Sequence, residues 1–175
     1  MFYDKKRTSF TNHQGYPRLS QKGIIFRDIT PLLGNTELFK YVIDELAELC
    51  KNQGITKIVG IESRGFIFGA PLAYALGIGF VPIRKKGKLP YKKIAANFTL
   101  EYGTDTIEMH EDALTKDDKV ILIDDLLATG GTTRAALELI NKLGAKTAFC
   151  LYVIELSFLE GGKTLNVPYK SLIKY

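Results

Sequence analysis

Apolar residues at Leu38, Phe39, Val42, Ile43, Leu46 and Leu49 recur at the spacing of one helical face. Asn35 or Thr36 is placed to cap that helix, and Gly54 to end it. The pattern then changes to a short continuous run, Lys57-Ile58-Val59-Gly60-Ile61, with polar residues at its exit, which predicts a strand buried on both faces. A helix is predicted through Ala70–Leu76, after which Gly77 and Gly79 turn the chain into Phe80-Val81-Pro82-Ile83. Pro82 has no N–H for a ladder, so this strand belongs at an edge or is irregular near its end. Lys119-Val120-Ile121-Leu122-Ile123 is a third buried strand, ending in Asp124-Asp125. A loop from Leu126 to Thr132 opens a helix with Ala135, Ala136, Leu139, Ile140 and Leu143 on one side, closed by Gly144, and Lys146–Leu156 is a fourth strand. Strands alternating with helices make right-handed βαβ units, so the fold class is α/β, a mostly parallel twisted sheet flanked by helices. Ligands on such sheets lie beyond the carboxyl ends of the strands.

Two segments depart from this rhythm. Residues 1–22 are polar with little periodicity and read as a lead-in before a main domain over 23–175. Residues 84–118 begin with the basic run Arg84-Lys85-Lys86-Gly87-Lys88 and alternate weakly through Phe98, Leu100, Tyr102, Ile107 and Met109, as expected of a long excursion carrying a β-hairpin. From Gly65 to Ile83 no residue is charged, a length that raises the question of a membrane span, but four glycines and two prolines interrupt it. A buried helix followed by a buried strand explains it better.

With 175 residues, 46% of them hydrophobic and 25% charged, the chain has the composition of one globular domain, which excludes disorder, collagen and coiled coil. A net charge of +5 fits a surface that handles polyphosphate, whereas nucleic acid would require a denser basic face. Two cysteines in apolar contexts, Cys50 and Cys150, argue for a reducing, cytoplasmic setting. Residues 1–15 lack the apolar core of a signal peptide, and His13 and His110 have no metal-ligand spacing.

The chemistry is concentrated in the segment from Val120 to Thr133. Its apolar strand delivers two carboxylates, Asp124 and Asp125, to the sheet edge, and Ala128-Thr129-Gly130-Gly131-Thr132 then opens a helix. Glycines let backbone N–H groups approach a phosphate, and the helix N-terminus favours negative charge. Two carboxylates would repel an anion held alone. They make sense beside hydroxyls or a metal-bound sugar on the same molecule, and a ribose 5-phosphate has both parts. The P-loop and Gly-x-Gly-x-x-Gly patterns are missing, which weakens nucleoside triphosphate and dinucleotide readings.

This segment resembles the phosphoribosyl-pyrophosphate motif of type I phosphoribosyltransferases. Gly23-Ile24-Ile25-Phe26-Arg27-Asp28-Ile29-Thr30-Pro31, Glu62-Ser63-Arg64-Gly65-Phe66, Arg84 to Pro90, and Leu100-Glu101-Tyr102-Gly103 are similar, in order and separation, to blocks of the adenine phosphoribosyltransferase family. The likeness covers residues 23 to about 160. It implies the type I fold with a flexible β-hairpin flap over 84–103 and a small N-terminal hood. The implied reaction joins adenine to phosphoribosyl pyrophosphate, with Mg2+, giving AMP and pyrophosphate in purine salvage by a cytoplasmic homodimer without nucleic-acid or membrane partners.

The resemblance also assigns residues. Ala128, Thr129, Gly130, Gly131 and Thr132 would hold the 5-phosphate, and Asp124 and Asp125 the ribose hydroxyls, the two acids also being the contacts available to a magnesium ion carried mainly by substrate. Ser63 and Arg64 would clamp the pyrophosphate at a turn with a cis peptide between Glu62 and Ser63. Lys85 and Lys88 would neutralise its charge, and Tyr102 would close over it. Ile25, Phe26 and Arg27 would receive the adenine, and Glu101 would exchange a proton with it, making Glu101 and Arg64 the catalytic pair. Glu62 stands where the family more often has aspartate, and residues 16–22 lack its usual proline-rich approach. The competing readings are a related enzyme for another nucleobase, against which Glu101 and the Phe-Arg-Asp block argue, and a non-catalytic sensor, for which the lead-in is too short to hold a winged helix.

Overall fold

The computed structural model describes residues 28–100 and 103–175, apart from the side chains of Thr99 and Leu100. The chain divides into two units, residues 1–42 and 43–175. In the described part of the first, helix α1 (Thr30–Leu33) starts where Asp28 Oδ1 accepts the Thr30 N–H at 2.8 Å. Helix α2 (Thr36–Cys50) runs across the division, and Asn35 caps it by accepting the Leu38 N–H at 3.0 Å. The expected lead-in, its boundary at residue 23 and the hood lie outside the described residues.

The second unit is built on strands β1 (Lys57–Ile61), β2 (Gly79–Lys85), β3 (Lys93–Leu100), β4 (Gly103–His110), β5 (Lys119–Leu127), β6 (Lys146–Glu155) and β7 (Tyr169–Lys174). They form one seven-stranded sheet in the order β3-β4-β2-β1-β5-β6-β7. The pairings from β2 to β7 through β1, β5 and β6 are all parallel, while β3 and β4 form an antiparallel hairpin that joins β2 only at Arg84 and Lys85. The expected α/β class and hairpin are therefore present. Pro82 sits in β2 ahead of the β4 ladder, so its missing N–H costs no bond on that side.

Helix α3 (Arg64–Leu76) links β1 to β2, and helix α4 (Gly131–Lys142) links β5 to β6. They cover opposite faces. Ala135, Ala136, Leu139 and Ile140 of α4 pack with Val59, Val120, Leu122 and Tyr152, whereas α3 lies at Gly69 against Ile58, Phe80 and Ile123. The uncharged stretch is α3 followed by β2, and among the described residues no helix is long and apolar enough to cross a membrane. Cys50 and Cys150 are free and buried, and burial pushes their thiols up to about 11 and 12.

The amino ends of the strands are tied by a polar cluster remote from the motif. Asp118 accepts hydrogen bonds from Thr56 Oγ1 at 2.8 Å, the Thr115 N–H at 2.9 Å and Lys57 Nζ at 3.0 Å. Burial alone would raise the Asp118 pKa, but the Thr115 N–H, Lys57 and Thr56 outweigh it and hold the carboxyl at about 2. A depressed carboxyl stabilises the fold above its unfolded value near 3.8 and loses that contribution as pH falls through about 2. Asp118→Asn is therefore expected to cost about 2 kcal/mol at neutral pH, with the gap from the parent closing between pH 4 and pH 2. Urea unfolding across that range checks it, and a gap independent of pH would contradict the assignment.

Candidate functional site

The connection after β1 passes to one side of the sheet and the connection after β5 to the other, so the crevice between these neighbouring strands is a switch point. β1 ends at Ile61, and its last pairing with β5 is Gly60 with Ile123. β5 continues to Leu127, held from there only by β6. Asp124 and Asp125 thus lie within the strand, which runs on to Leu127 past the end that the sequence pattern gives it at these acids, and β1 does not pair with either of them.

Strand alternation separates the two acids. Asp125 turns to the α3 face, where it is buried and forms an ion pair with Arg64, the first residue of α3. Asp124 belongs to the other face and, with Leu126 and residues 128–133, lines a cavity of about 70 Å3. A side chain on Gly65 would come within 2.8 Å of the Ile123 carbonyl and 3.0 Å of Asp124 Oδ1. Glycine there lets the turn into α3 lie directly against the strand end. Burial pushes the Asp124 carboxyl well above the usual range, the Asp125 charge adds to that, and the Asp125 N–H, donating to Asp124 Oδ1 at 2.9 Å, partly offsets both.

Ala128, Thr129, Gly130, Gly131 and Thr132 curl over this cavity and lead into α4. Gly130 has φ +79°, and a Cβ on it would stand 2.6 Å from Thr164 Oγ1 and 2.9 Å from the Gly161 carbonyl, so both conformation and space demand glycine. The first turn of α4 presents N–H groups that the helix does not use, together with its positive dipole end. Thr133 fixes that turn from within: its Oγ1 lies 2.8 Å from the buried Tyr152 hydroxyl. The result is a small polar cup suited to a dianionic phosphate, with a carboxylate at its lip for hydroxyls.

On the other side of the crevice the Glu62–Ser63 peptide is cis, as the resemblance implies, and Ser63 precedes α3. Glu62 accepts hydrogen bonds from Arg84 Nε at 3.2 Å, Arg84 Nη2 at 3.3 Å and the Lys85 N–H at 2.9 Å, and these contacts outweigh burial to lower its pKa. Arg84 Nη1 also reaches the Lys88 carbonyl at 3.0 Å, and Glu108 accepts the Gly87 N–H at 2.9 Å. The basic turn is thus anchored through its backbone by two carboxylates. Lys85 and Lys88 keep exposed side chains, Lys85 Nζ being 4.0 Å from Asp105.

Ser63, Arg64, Asp124, Asp125 and the 128–132 loop are therefore gathered at one crevice, with Lys85 and Lys88 attached to it through Glu62. Ile25, Phe26, Arg27, Glu101 and Tyr102 lie outside the described residues. His110 stacks edge-on against Tyr91, their centroids 6.0 Å apart, and among the described residues no cluster of three or more histidine, cysteine or acidic side chains could hold a metal. Sequence reasoning missed the backing of the cup: Gly161, Thr164 and Arg134 touch it from behind, and no motif marks them.

The chain matches the family model described as a phosphoribosyl transferase domain over residues 32–170. It is 56% identical over 160 residues to an adenine phosphoribosyltransferase of Carboxydothermus hydrogenoformans, covering 91% of this chain and 94% of that one. It superposes on the adenine phosphoribosyltransferase of Thermoanaerobacter pseudethanolicus with a TM-score of 0.92 and 43% identity, over 98% of this chain and 99% of the other. The Saccharomyces cerevisiae enzyme, complexed with an imino-altritol bisphosphate and adenine, matches with a TM-score of 0.88 and 41% identity, over 96% and 97% of the two chains.

Proposed function

The chain belongs to the adenine phosphoribosyltransferases of the phosphoribosyl transferase family, and we propose from this premise how its crevice transfers a 5-phosphoribosyl group from phosphoribosyl pyrophosphate to adenine, giving AMP and pyrophosphate. The observation that carries the reading is the cup of Ala128–Thr132 beside Asp124 at a sheet switch point, which suits the two ends of a phosphorylated sugar. The yeast relative's complex with adenine and a sugar-like bisphosphate supports it.

Backbone N–H groups of the cup bind the 5-phosphate, with Thr129 and Thr132 as further donors, and Asp124 orients the ribose hydroxyls. Asp125 takes the Arg64 guanidinium in the structure described here, and Arg64, with Ser63, binds the pyrophosphate at the same turn. As the bond from the sugar C1 to pyrophosphate oxygen breaks and the bond to the adenine ring nitrogen forms, negative charge grows on the leaving group. Arg64, Lys85 and Lys88 stabilise that charge. The ring nitrogen gives up its proton to the Glu101 carboxylate, while Ile25, Phe26 and Arg27 hold the base. Segment 84–103, with Tyr102, closes over the reactants and keeps water from the activated sugar.

Magnesium fits as an ion carried by the substrate. Among the described residues, Asp124 and Asp125 are the pair of carboxylates that such an ion could meet beside the cup, and Mg2+ is commonly held by one or two carboxylates plus substrate phosphates. Bound there, it would supply further neutralisation of pyrophosphate charge. The reading includes a cytoplasmic homodimer and residues 1–22 as a hood on the main domain. The two buried free thiols accord with a reducing compartment, and the exposed Tyr74 and Phe158 are candidates for a subunit interface.

A spectrophotometric assay of AMP formation tests the whole. The parent is expected to release pyrophosphate only when adenine is present. Glu101→Gln is expected to lower kcat about 100-fold and Asp124→Asn to lower kcat/KM for phosphoribosyl pyrophosphate at least about tenfold. Binding of the sugar phosphate with no adenine-dependent release would point to the sensor reading, and activity with another base alone to a different specificity.

A further inference from the structure

The turn formed by Gly161–Thr164 presses on the phosphate cup from outside. A methyl group at Gly161 would stand 2.0 Å from the Ala128 carbonyl oxygen and 2.9 Å from the Thr129 carbonyl carbon. Thr164 Oγ1 accepts a hydrogen bond from Arg134 Nη1 at 2.8 Å and donates to the Gly161 carbonyl at 2.7 Å. Both Thr164 Oγ1 and Arg134 Nη1 lie 3.5 Å from the Thr129 carbonyl. Thr164 is also the nearest atom that a Cβ on Gly130 would meet. Two of the cup's carbonyls are thereby directed backward, toward a hydroxyl, a guanidinium and a glycine.

A trans peptide holds its carbonyl and the following N–H on opposite sides of one plane. The Thr164 hydroxyl proton goes to the Gly161 carbonyl, so the donor facing the Thr129 carbonyl is the Arg134 N–H, placed there by its bond to Thr164 Oγ1, and a carbonyl turned that way points the Gly130 N–H into the cup. Glycine-rich backbone has no side chain to enforce this orientation, and a peptide flip would replace a donor with a carbonyl facing the phosphate. We propose that Thr164, held by Arg134, is a positioning residue that keeps the cup's N–H groups turned toward the 5-phosphate. The inference deepens the reading given above and rests on its assignment of the cup to that phosphate.

The two can be separated by comparing AMP with adenosine, which differ by that phosphate alone. Calorimetric titration of the full chain is expected to show parent protein binding AMP at least about 100-fold more tightly than adenosine. In Thr164→Val, nearly the same in shape but without the hydroxyl, AMP binding is expected to weaken about tenfold with adenosine unchanged. The KM for phosphoribosyl pyrophosphate is expected to rise by the same factor and the KM for adenine to stay fixed. Thr164→Ser, which keeps the hydroxyl, should restore AMP binding, and Arg134→Met should reproduce the valine variant in part. Equal parent affinities for AMP and adenosine would overturn the phosphate assignment itself. A parent that favours AMP, with a valine variant that favours it equally, would overturn only the role of Thr164. So would a valine variant that loses adenosine and AMP alike with a lowered melting temperature, because that pattern marks general loosening.

Discussion

Replacing Arg64 with methionine is expected to lower the unfolding free energy by about 3 kcal/mol and to raise the KM for phosphoribosyl pyrophosphate about 100-fold. Both effects come from one guanidinium. In the structure it neutralises Asp125, whose carboxylate is buried at 4% exposure on the α3 face of β5. Removing the cation leaves a buried charge without its counter-ion, which costs more than the intact pair contributes. In the proposed reaction the same group faces pyrophosphate, for which a planar fork of donors is well suited. The double variant Arg64→Met, Asp125→Asn separates the roles. Asparagine carries no charge, so denaturant unfolding should recover most of the lost stability, while the KM stays high. If the second substitution recovered neither, the ion pair would not be what stabilises this end of the sheet. If it recovered both, Arg64 would serve the substrate only by holding Asp125.

Gly130→Ala is expected to lower kcat/KM for phosphoribosyl pyrophosphate at least about 100-fold while leaving the melting temperature within a few degrees of the parent. Alanine at φ +79° bears the left-handed penalty of roughly 1–2 kcal/mol, and here its methyl group also meets Thr164 Oγ1 at 2.6 Å and the Gly161 carbonyl at 2.9 Å. The collision can be relieved only by moving the cup or its backing. Gly54→Ala is the matched control. Its φ of +63° carries a similar conformational penalty, but nothing lies within 4 Å of the added methyl. It should lose a comparable amount of stability with no change in KM. Equal kinetics for the two variants would mean that the cup's shape is not what binds the sugar phosphate.

The alternating strands and helices were readable because β1, β5 and β6 are apolar on both faces, which marks buried parallel strands without ambiguity. β7 was not: Tyr169–Lys174 is a half-buried edge strand, and its burial follows no simple alternation. The sequence pattern starts α3 only at Ala70, because Gly65 and Gly69 depress local helix propensity, whereas the helix begins at Arg64. Tertiary packing overrides that preference, since glycine is what lets the helix touch β5. Likewise the apolar run ends β5 at its two acids, although β6 carries the pairing on to Leu127.

The Ala128–Thr132 cup with its neighbouring acids is one contiguous stretch of the chain, and the turn at Glu62–Gly65 is another. The residue types of the cup and its acids point to phosphate and hydroxyl chemistry, the resemblance adds pyrophosphate at the Glu62–Gly65 turn, and the sequence by itself determined that much. It could not divide the labour of Asp124 and Asp125, because the side to which each carboxylate turns depends on which face of the finished sheet α3 and α4 cover. Nor could it find Glu62 holding Arg84 across 22 positions, or Thr164 bracing a loop 35 positions earlier. Those contacts join residues far apart in the chain and carry no local pattern. They exist only because β2, β1, β5 and β6 lie side by side, and the packed sheet alone decides which distant polar groups satisfy one another.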